Sequence, residues 1–383
     1  MQIELSEKQI ALKKEVGAFL DRDIAPLVEE YEKQGRIIAK ELMKKVLPFG
    51  YIGGLLPKEV GGRNLDLISY ALMIEELSRV WPSLRIMVAG SNLLLTYIYR
   101  YGSEDHKKKY MERLLNGDMI GYFALSEPEA GSDAGSIKMT AELKDGYYVL
   151  NGTKTYIACG LDGDLGLVFA STDPSQGAKG ITAFLVEKGV SEYKARQVFK
   201  MGTNCATMAE LTFENTKVPV ENRLGNPGEG LRLAMSFLSV VRSIVPFVCA
   251  GVGQACIDAS IEFAKKRIQF NKPIAKFQLI QERIANMVVQ TEAMRLLGYQ
   301  ACYLVDKGVP CQKEVSIAKL FASEAIQKVV QDAMQIHGQY GYVKDYPIER
   351  YYRDICYFTM ADGTSEMHRL IIGKNVLGIS AYV

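Results

Sequence analysis

The chain changes its hydrophobic period twice. In residues 1–120 apolar positions recur at helical spacing, with Ile10, Leu12, Val16, Phe19 and Leu20 forming one face of an amphipathic run. Ser6 followed by Gln9 predicts a capping box at its start, each side chain satisfying a free backbone N–H. Leu67–Val80 repeats the pattern, and Trp81-Pro82 stops it. Residues 121–225 shift to short apolar runs separated by Gly, Asp and Pro. Leu165–Ser171, Ile181–Glu187 and 210–213 read as strands. Residues 147–150, then Asn151-Gly152, then 154–158 read as a hairpin, because Asn-Gly tolerates the positive φ angles of a two-residue turn.

Several strands without helices between them predict an antiparallel barrel or sandwich. Residues 226–383 return to helix. After Pro246 the only prolines are Pro273, Pro310 and Pro347, which leaves two windows for long helices. In the second, Ala325, Ile326, Val329, Val330, Ala333 and Met334 make one apolar stripe. The expectation is an α+β, mostly α fold: an N-terminal helical domain (1–120), a central antiparallel β-barrel domain (121–225) and a C-terminal helical bundle (226–383). With no internal repeat and no low-complexity linker, the three parts should pack closely.

Composition narrows the class. The 383 residues are 48% hydrophobic and 23% charged, which excludes disorder and collagen-like architecture. The 46 basic and 44 acidic residues leave a net charge of +2, and no like-charge block reads as a nucleic-acid arm or polybasic anchor. The longest uncharged apolar stretch, 243–257, contains Pro246 and is expected to be too short and too broken to span a bilayer. The N-terminus has Glu4 and Glu7 and no apolar core, so neither a secretory signal nor a transit peptide is read, and a cytoplasmic protein is expected. Seven scattered cysteines without a C-x-x-C pair read as buried thiols in a reducing compartment. His106, His337 and His368 lack ligand spacing, so no zinc site is expected, and the absence of a G-x-S-x-G elbow disfavours a serine hydrolase. Rossmann and P-loop fingerprints are absent too.

Four polar, glycine-punctuated segments remain. LSEPEAGSD (125–133) presents N–H groups and a hydroxyl suited to a phosphate or flavin edge, or is a solvated turn. NGTKTYI (151–157) carries Tyr156, a ligand-facing or a core aromatic. RIQFNKPIAKFQ (267–278) is a charged site or a surface helix end. QIHGQYGYVKDYPIERYYRD (335–354), followed by DGTSE (362–366), breaks a long amphipathic helix into Gly and aromatic residues, which reads as a site.

In order and spacing these segments, with KMGTNCATMAELTFENTKVP (200–219), closely resemble the acyl-CoA dehydrogenase family of flavoproteins over essentially the whole chain. The resemblance implies an N-terminal helical domain, a central β-barrel and a C-terminal four-helix bundle. It implies FAD-dependent α,β-dehydrogenation of an acyl-CoA thioester, a carboxylate removing the α-proton while flavin N5 takes a hydride. By matching positions, Leu125, Ser126, Gly131 and Ser132 lie along the flavin and its pyrophosphate, with Tyr156 and Ala158 near the isoalloxazine. Arg267, Gln269, Phe270 and Gln278, with Gln335, Gly338 and Gln339, hold the adenine end across a subunit interface. Ser239 and Arg242 fall on the substrate side, with Ser132 shared between substrate and cofactor. Asp362 falls at the base, Gly363 and Thr364 follow it with backbone toward thioester and flavin, and Glu366 lies on the cofactor side. A homotetramer and reoxidation by electron-transfer flavoprotein are implied as well.

The chain departs from the family pattern where it matters. Asp362 stands for the usual Glu, and the alternative base position is Val241. Ala158 replaces the hydroxyl residue near N5, and Gly338-Gln339 replaces a glycine pair. Shortening Glu to Asp withdraws the carboxylate by roughly 1.5 Å, and misplacement by about 1 Å costs on the order of a hundredfold in rate. A cyclic or α-branched acyl group suits this geometry, while Asp362 as a helix-cap residue is the plain alternative. Three readings stand: an acyl-CoA dehydrogenase with an unusual substrate, a relative acting on carrier-tethered acyl groups or as an enoyl reductase, and a non-catalytic flavin-binding homologue.

Overall fold

The computed structural model describes residues 4–381, so the outermost residues of the first and third predicted parts lie outside it. Six helices open the chain: α1 (Glu7–Asp23), α2 (Ala25–Gln34), α3 (Lys40–Val46), α4 (Leu67–Val80), α5 (Pro82–Tyr101) and α6 (Glu104–Leu115). Ser6 and Gln9 close the expected capping box on α1, with Gln9 N–H donating to Ser6 Oγ (3.3 Å) and Ser6 N–H to Gln9 Oε1 (2.9 Å). Asp66 caps α4, which is buried nearly all round. Trp81 ends α4, and Pro82 begins α5 at the position where its missing N–H costs no helical bond.

The middle of the chain forms one eight-stranded sheet from β1 (Gly121–Ala124), β2 (Thr140–Lys144), β3 (Tyr147–Ala158), β4 (Leu165–Ser171), β5 (Ile181–Glu187), β6 (Lys194–Gln197), β7 (Met208–Pro219) and β8 (Arg223–Leu224). Its order is β6-β7-β3-β2-β4-β5-β8, with β1 added on β4. The expected antiparallel barrel is corrected on two counts. Pairing is mixed, since β1 and β2 both run parallel to β4. The chain leaves β1 for the β2–β3 excursion and re-enters at β4 in the same direction, which an antiparallel neighbour cannot do. The sheet is also open: β6 is a fully exposed edge and β8 a two-residue one.

The hairpin assignment is corrected as well. Asn151-Gly152 lies inside β3, where Gly152 at φ 146° makes a bulge against β7. The turn is Asp145-Gly146, with φ of 48° and 80°, closing Lys144 onto Tyr147.

Helices return as α7 (Gly230–Ser236), α8 (Leu238–Lys266), α9 (Gln278–Asp306), α10 (Gln312–His337), α11 (Ile348–Ile355) and α12 (Ser365–Leu377), with the short hairpin β9 (Ile268–Gln269) and β10 (Lys272–Pro273) between α8 and α9. α8, α9 and α10 pack on one another, α12 closes against α10, and α4 lies on α8. Pro246 does not break the apolar stretch as expected, because it sits inside α8. Burial of the helix on both sides of it outweighs a loss of about 3 kcal/mol for an interior proline. The stretch Gly230–Lys266 is long and apolar enough to cross a membrane by length and composition, but 61% of its most apolar window is buried in this fold, where it is the core of the bundle. A Cβ on Gly251 would lie 2.2 Å from the Glu75 carbonyl, so glycine sets how closely α8 meets α4.

Candidate active site

The segment after β1 and the end of β3 form a shelf. Strand β3 bulges again between Lys154 and Ile157, and Tyr156 takes a positive φ of 57° there. The bulge turns the Tyr156 ring outward, 67% exposed, instead of into the core. Ala158 is exposed beside it, and Leu125 and Ser126 are half-buried at the base. Gly131 has nothing within 4 Å of where a Cβ would sit, and Ser132 is exposed next to it. The shelf is therefore open, flanked by an aromatic ring and walled by backbone, which fits a flat ring system carrying a phosphate.

What holds the shelf is a buried ion pair. Lys154 has no exposed surface and donates to Glu127 Oε1 at 2.8 Å and to the Leu125 carbonyl at 2.9 Å. Glu127 also accepts from the Lys138 and Met139 amides. Thr155 N–H donates to the Ser126 carbonyl, tying loop to strand. Burial pushes the Lys154 ammonium down to about 8, with Glu127 pulling the other way. Both residues lie within the recognised motifs, yet sequence reasoning gave them no role.

The second region is the loop before α12. Asp362 sits in the left-handed region (φ 57°) and Gly363 follows at φ 96°. Two cations hold their carbonyls: Arg242 Nε donates to Asp362 O (2.8 Å), and Lys319 Nζ to Gly363 O (2.7 Å) and Phe358 O (2.8 Å). Lys319 is fully buried, and burial pushes it down to about 8 while Asp362 draws it back up. His368 is buried against the same loop, its Nε2 being 3.1 Å from where a Gly363 Cβ would be. Burial, then Lys319 and Arg242, push it down to about 3, so its ring is neutral. Thr364 caps α12 by accepting from Met367 N–H, and Glu366 is exposed in the first turn. The cap residue is thus Thr364 rather than Asp362, whose carboxylate is left to the site. Lys319 and His368 are further residues that sequence reasoning missed.

The two regions meet through α5. Gly90 packs on the Gly121 carbonyl, and Tyr97 faces Phe123 at 6.0 Å and Phe237 at 6.3 Å. Phe237 leads into α8, whose first turns carry Ser239, Val241 and Arg242, all half-buried. Along α5, Ile86, Ala89, Gly90 and Leu93 are half-exposed at helical spacing on an otherwise buried helix. They form one strip of partly exposed side chains on the helix that packs against β1.

The third group lies at the far end of the bundle. Arg267 stacks over Tyr340 at 5.4 Å, bringing the end of α8 to Gln335, Gly338 and Gln339. The β9–β10 turn at Phe270-Asn271 has two positive φ angles and leaves Phe270 87% exposed. Gln269 and Gln278 are exposed nearby, and a Cβ on Gly338 would meet nothing. Among the described residues no hydrogen bond, ion pair or ring contact joins this group to the shelf.

The acyl-CoA dehydrogenase N-terminal, middle and C-terminal domains match residues 6–118, 122–216 and 228–377. The 3-(aryl)acrylate reductase of Clostridium sporogenes is 41% identical over 97% of this chain and 99% of that protein. An acyl-CoA dehydrogenase of Bacillus subtilis is 40% identical over 98% of this chain and the whole of the other. A chain in the solved structure described as the electron transferring flavoprotein of Acidaminococcus fermentans superposes with a TM-score of 0.94 at 39% identity, over 98% of this chain and all of that one. The chain belongs to the acyl-CoA dehydrogenase family.

Proposed function

We propose that the protein is an FAD-dependent acyl-CoA dehydrogenase in which Asp362 is the general base and the acyl group is cyclic or α-branched. The observation that carries this reading is the Asp362 loop: a half-buried carboxylate on a left-handed residue whose backbone two cations hold. Bound FAD supplies the acceptor for the hydride leaving the β-carbon. The chain does the rest. The shelf residues Leu125, Ser126, Gly131, Ser132, Tyr156 and Ala158 seat the ring. Asp362 takes the α-proton onto a carboxylate oxygen, and the Arg242 and Lys319 bonds fix how far that oxygen reaches. A one-carbon-shorter reach favours a substrate whose acidic carbon sits closer to Asp362.

Oligomerisation is part of the proposal. Arg267, Gln269, Phe270, Gln278, Gln335, Gly338 and Gln339 face outward, away from the chain's own shelf. α9, which starts at Gln278, carries Leu279 exposed beside them and Val289, Leu296 and Tyr303 exposed further along its length. A second copy covering this face would bring those residues to its own cofactor, within a dimer-of-dimers tetramer. Electron-transfer flavoprotein is the proposed electron acceptor, supported by the description of the A. fermentans structure. The seven free thiols, six of them buried, suit a reducing cytoplasmic setting. A second reading, enoyl reduction, is favoured by the 41% identity to an arylacrylate reductase.

The test is anaerobic mixing of the flavinated protein with straight-chain, α-branched and cyclohexanoyl-type CoA thioesters. Bleaching of the flavin by the branched or cyclic members supports the dehydrogenase reading. Reoxidation of pre-reduced enzyme by enoyl-CoAs, without bleaching by any saturated thioester, would favour the reductase.

A further inference from the structure

The geometry points to a binding site for a small organic monocarboxylate in a cavity between the N-terminal helices and α11, with Arg350 taking the carboxylate. Neither the shelf residues, nor Asp362, nor the group around Arg267 lines this cavity, so the site goes beyond the function proposed above.

The cavity has a volume of about 590 Å³, within the roughly 300–1,000 Å³ of small-molecule pockets. Its walls come from α1, α2 and α4, the 200–207 loop, α8 and α11. Six carboxylates line it, and each is engaged. Asp21 pairs with Arg79, Glu29 and Asp345 with Lys33, and Glu349 with Arg353. Glu32 accepts from Trp81 Nε1 and Ser83 Oγ, and Asp258 from Gln254. Of the five lining cations, Lys344 and Arg350 remain. Among the described residues no ion pair includes either one. Lys344 is exposed to water, whereas Arg350 is buried.

Arg350 is 9% exposed, and its Nε is buried without a hydrogen-bond partner. The guanidinium lies over the Tyr351 ring, 5.0 Å from its centre, and acts on its hydroxyl, but burial keeps that phenol neutral. Its charge also reaches Glu29 and Asp354. Lys33 holds Glu29, and burial raises the Asp354 carboxyl to about 7, which weakens it as a counter-charge. A buried guanidinium without a counter-ion is costly unless a partner arrives. Its planar fork suits a carboxylate, taken through two parallel bonds. The rest of the lining decides what the carboxylate is attached to. Six carboxylates against five cations repel a polyanion, so a nucleotide or phosphate fits poorly, while one negative charge matches one free guanidinium. Ala25, Val28, Val80 and Pro347 offer apolar surface to a compact hydrocarbon body.

The experiment titrates the flavinated protein with benzoate, hexanoate, their primary amides and inorganic phosphate. Binding is read by calorimetry in wild type, Arg350→Gln and Ala25→Phe. At least one carboxylate should bind wild type about tenfold or more tighter than its amide, the size of a charge-assisted hydrogen bond, and tighter than phosphate. Arg350→Gln should lose that margin. Ala25→Phe, which fills the cavity from the half-buried start of α2, should lose carboxylate binding while flavin content stays at the wild-type level. Wild type that binds neither carboxylate, or binds both no tighter than their amides, overturns the proposal. Tighter binding of phosphate overturns the monocarboxylate class. A carboxylate margin that survives in Ala25→Phe puts the anion elsewhere and overturns the site, and this holds even if Arg350→Gln does not fold.

Discussion

Lys154 under the shelf and Lys319 under the base loop are both fully buried, both pushed down to about 8 by burial, and both bonded to the carbonyls of the loop they hold. They differ in counter-ion. Lys154 has Glu127 at 2.8 Å, and Glu127 is itself saturated by two amides. Among the described residues Lys319 bonds only the carbonyls of Phe358 and Gly363, and the carboxylate that draws on it most is Asp362, ahead of Glu324. A buried cation neutralised by a dedicated partner fastens a loop and does nothing more. One left with carbonyls lends its field to whatever carboxylate is nearest, here the proposed base. The shelf is thus built to be still, and the base loop to be still and electrostatically coupled to the chemistry.

The strongest way to break this contrast is Asp362→Asn. It keeps the backbone and its bonds to Arg242 and Lys319, so flavin content should stay at the wild-type level. Flavin reduction by substrate should fall by about a hundredfold or more, the scale of general-base catalysis. Near-normal reduction would show that another residue takes the proton, and the coupling to Lys319 would lose its purpose.

Glu127→Ala should come next, acting on stability instead. It strands Lys154 in the core and frees two amides, a loss of about 3–5 kcal/mol for breaking a buried pair. Flavin occupancy should fall with the melting temperature. Lys154→Met should cost less, because Glu127 keeps its bonds from the Lys138 and Met139 amides. Equal losses for the two variants would mean that the pair does not carry the loop. Lys319→Met is the matching change in the other region. There the flavin should remain bound while kcat drops by on the order of tenfold to a hundredfold, from sub-ångström drift of the base, with KM little altered. A loss confined to flavin content would erase the distinction between the two lysines.

The sequence made much of this fold legible and hid the fasteners, for one physical reason. Helix caps and periodicity are local, so Ser6/Gln9, Leu67–Val80 and the bounds of β4 and β5 could be read directly. Asp145-Gly146 and Asn151-Gly152 are both turn dipeptides six residues apart, and local rules favour neither. The choice is made by β7, which pairs along both halves of β3 and forbids a turn at 151. The open edges of the sheet are equally non-local. Asp362 was legible because its motif is contiguous, whereas Glu127 meets Lys154 across 27 residues and Lys319 meets Gly363 across 44. One signal was available: Lys319 falls on the buried stripe of α10 with Ala318, Ala322 and Ile326, and a lysine on such a stripe must have acceptors waiting.

The mildest effect on turnover is expected where the two regions are joined. Asp354, at the end of α11, accepts from Thr203 N–H at 2.5 Å, and Gly202 lies so close to Arg353 that a Cβ would sit 2.2 Å from its carbonyl. This contact locks the 200–207 loop of the sheet region to the helix that leads into the base loop. Burial, then Glu32, raise the Asp354 carboxyl from 3.8 to about 7, against the Thr203 amide and the two arginines. The folded protein therefore keeps a proton there that the unfolded chain releases, and the contribution of Asp354 to stability falls as pH rises from about 4 through about 7. Asp354→Asn cannot titrate, yet its amide oxygen can still accept from Thr203. Melting curves across that window at constant ionic strength should fall less steeply with pH for the variant than for wild type, with neutral-pH turnover nearly unchanged. Parallel curves would show that Asp354 is already ionised in the fold, and that the joint is held as an ion pair with Arg350 or Arg353 instead of a protonated carboxyl.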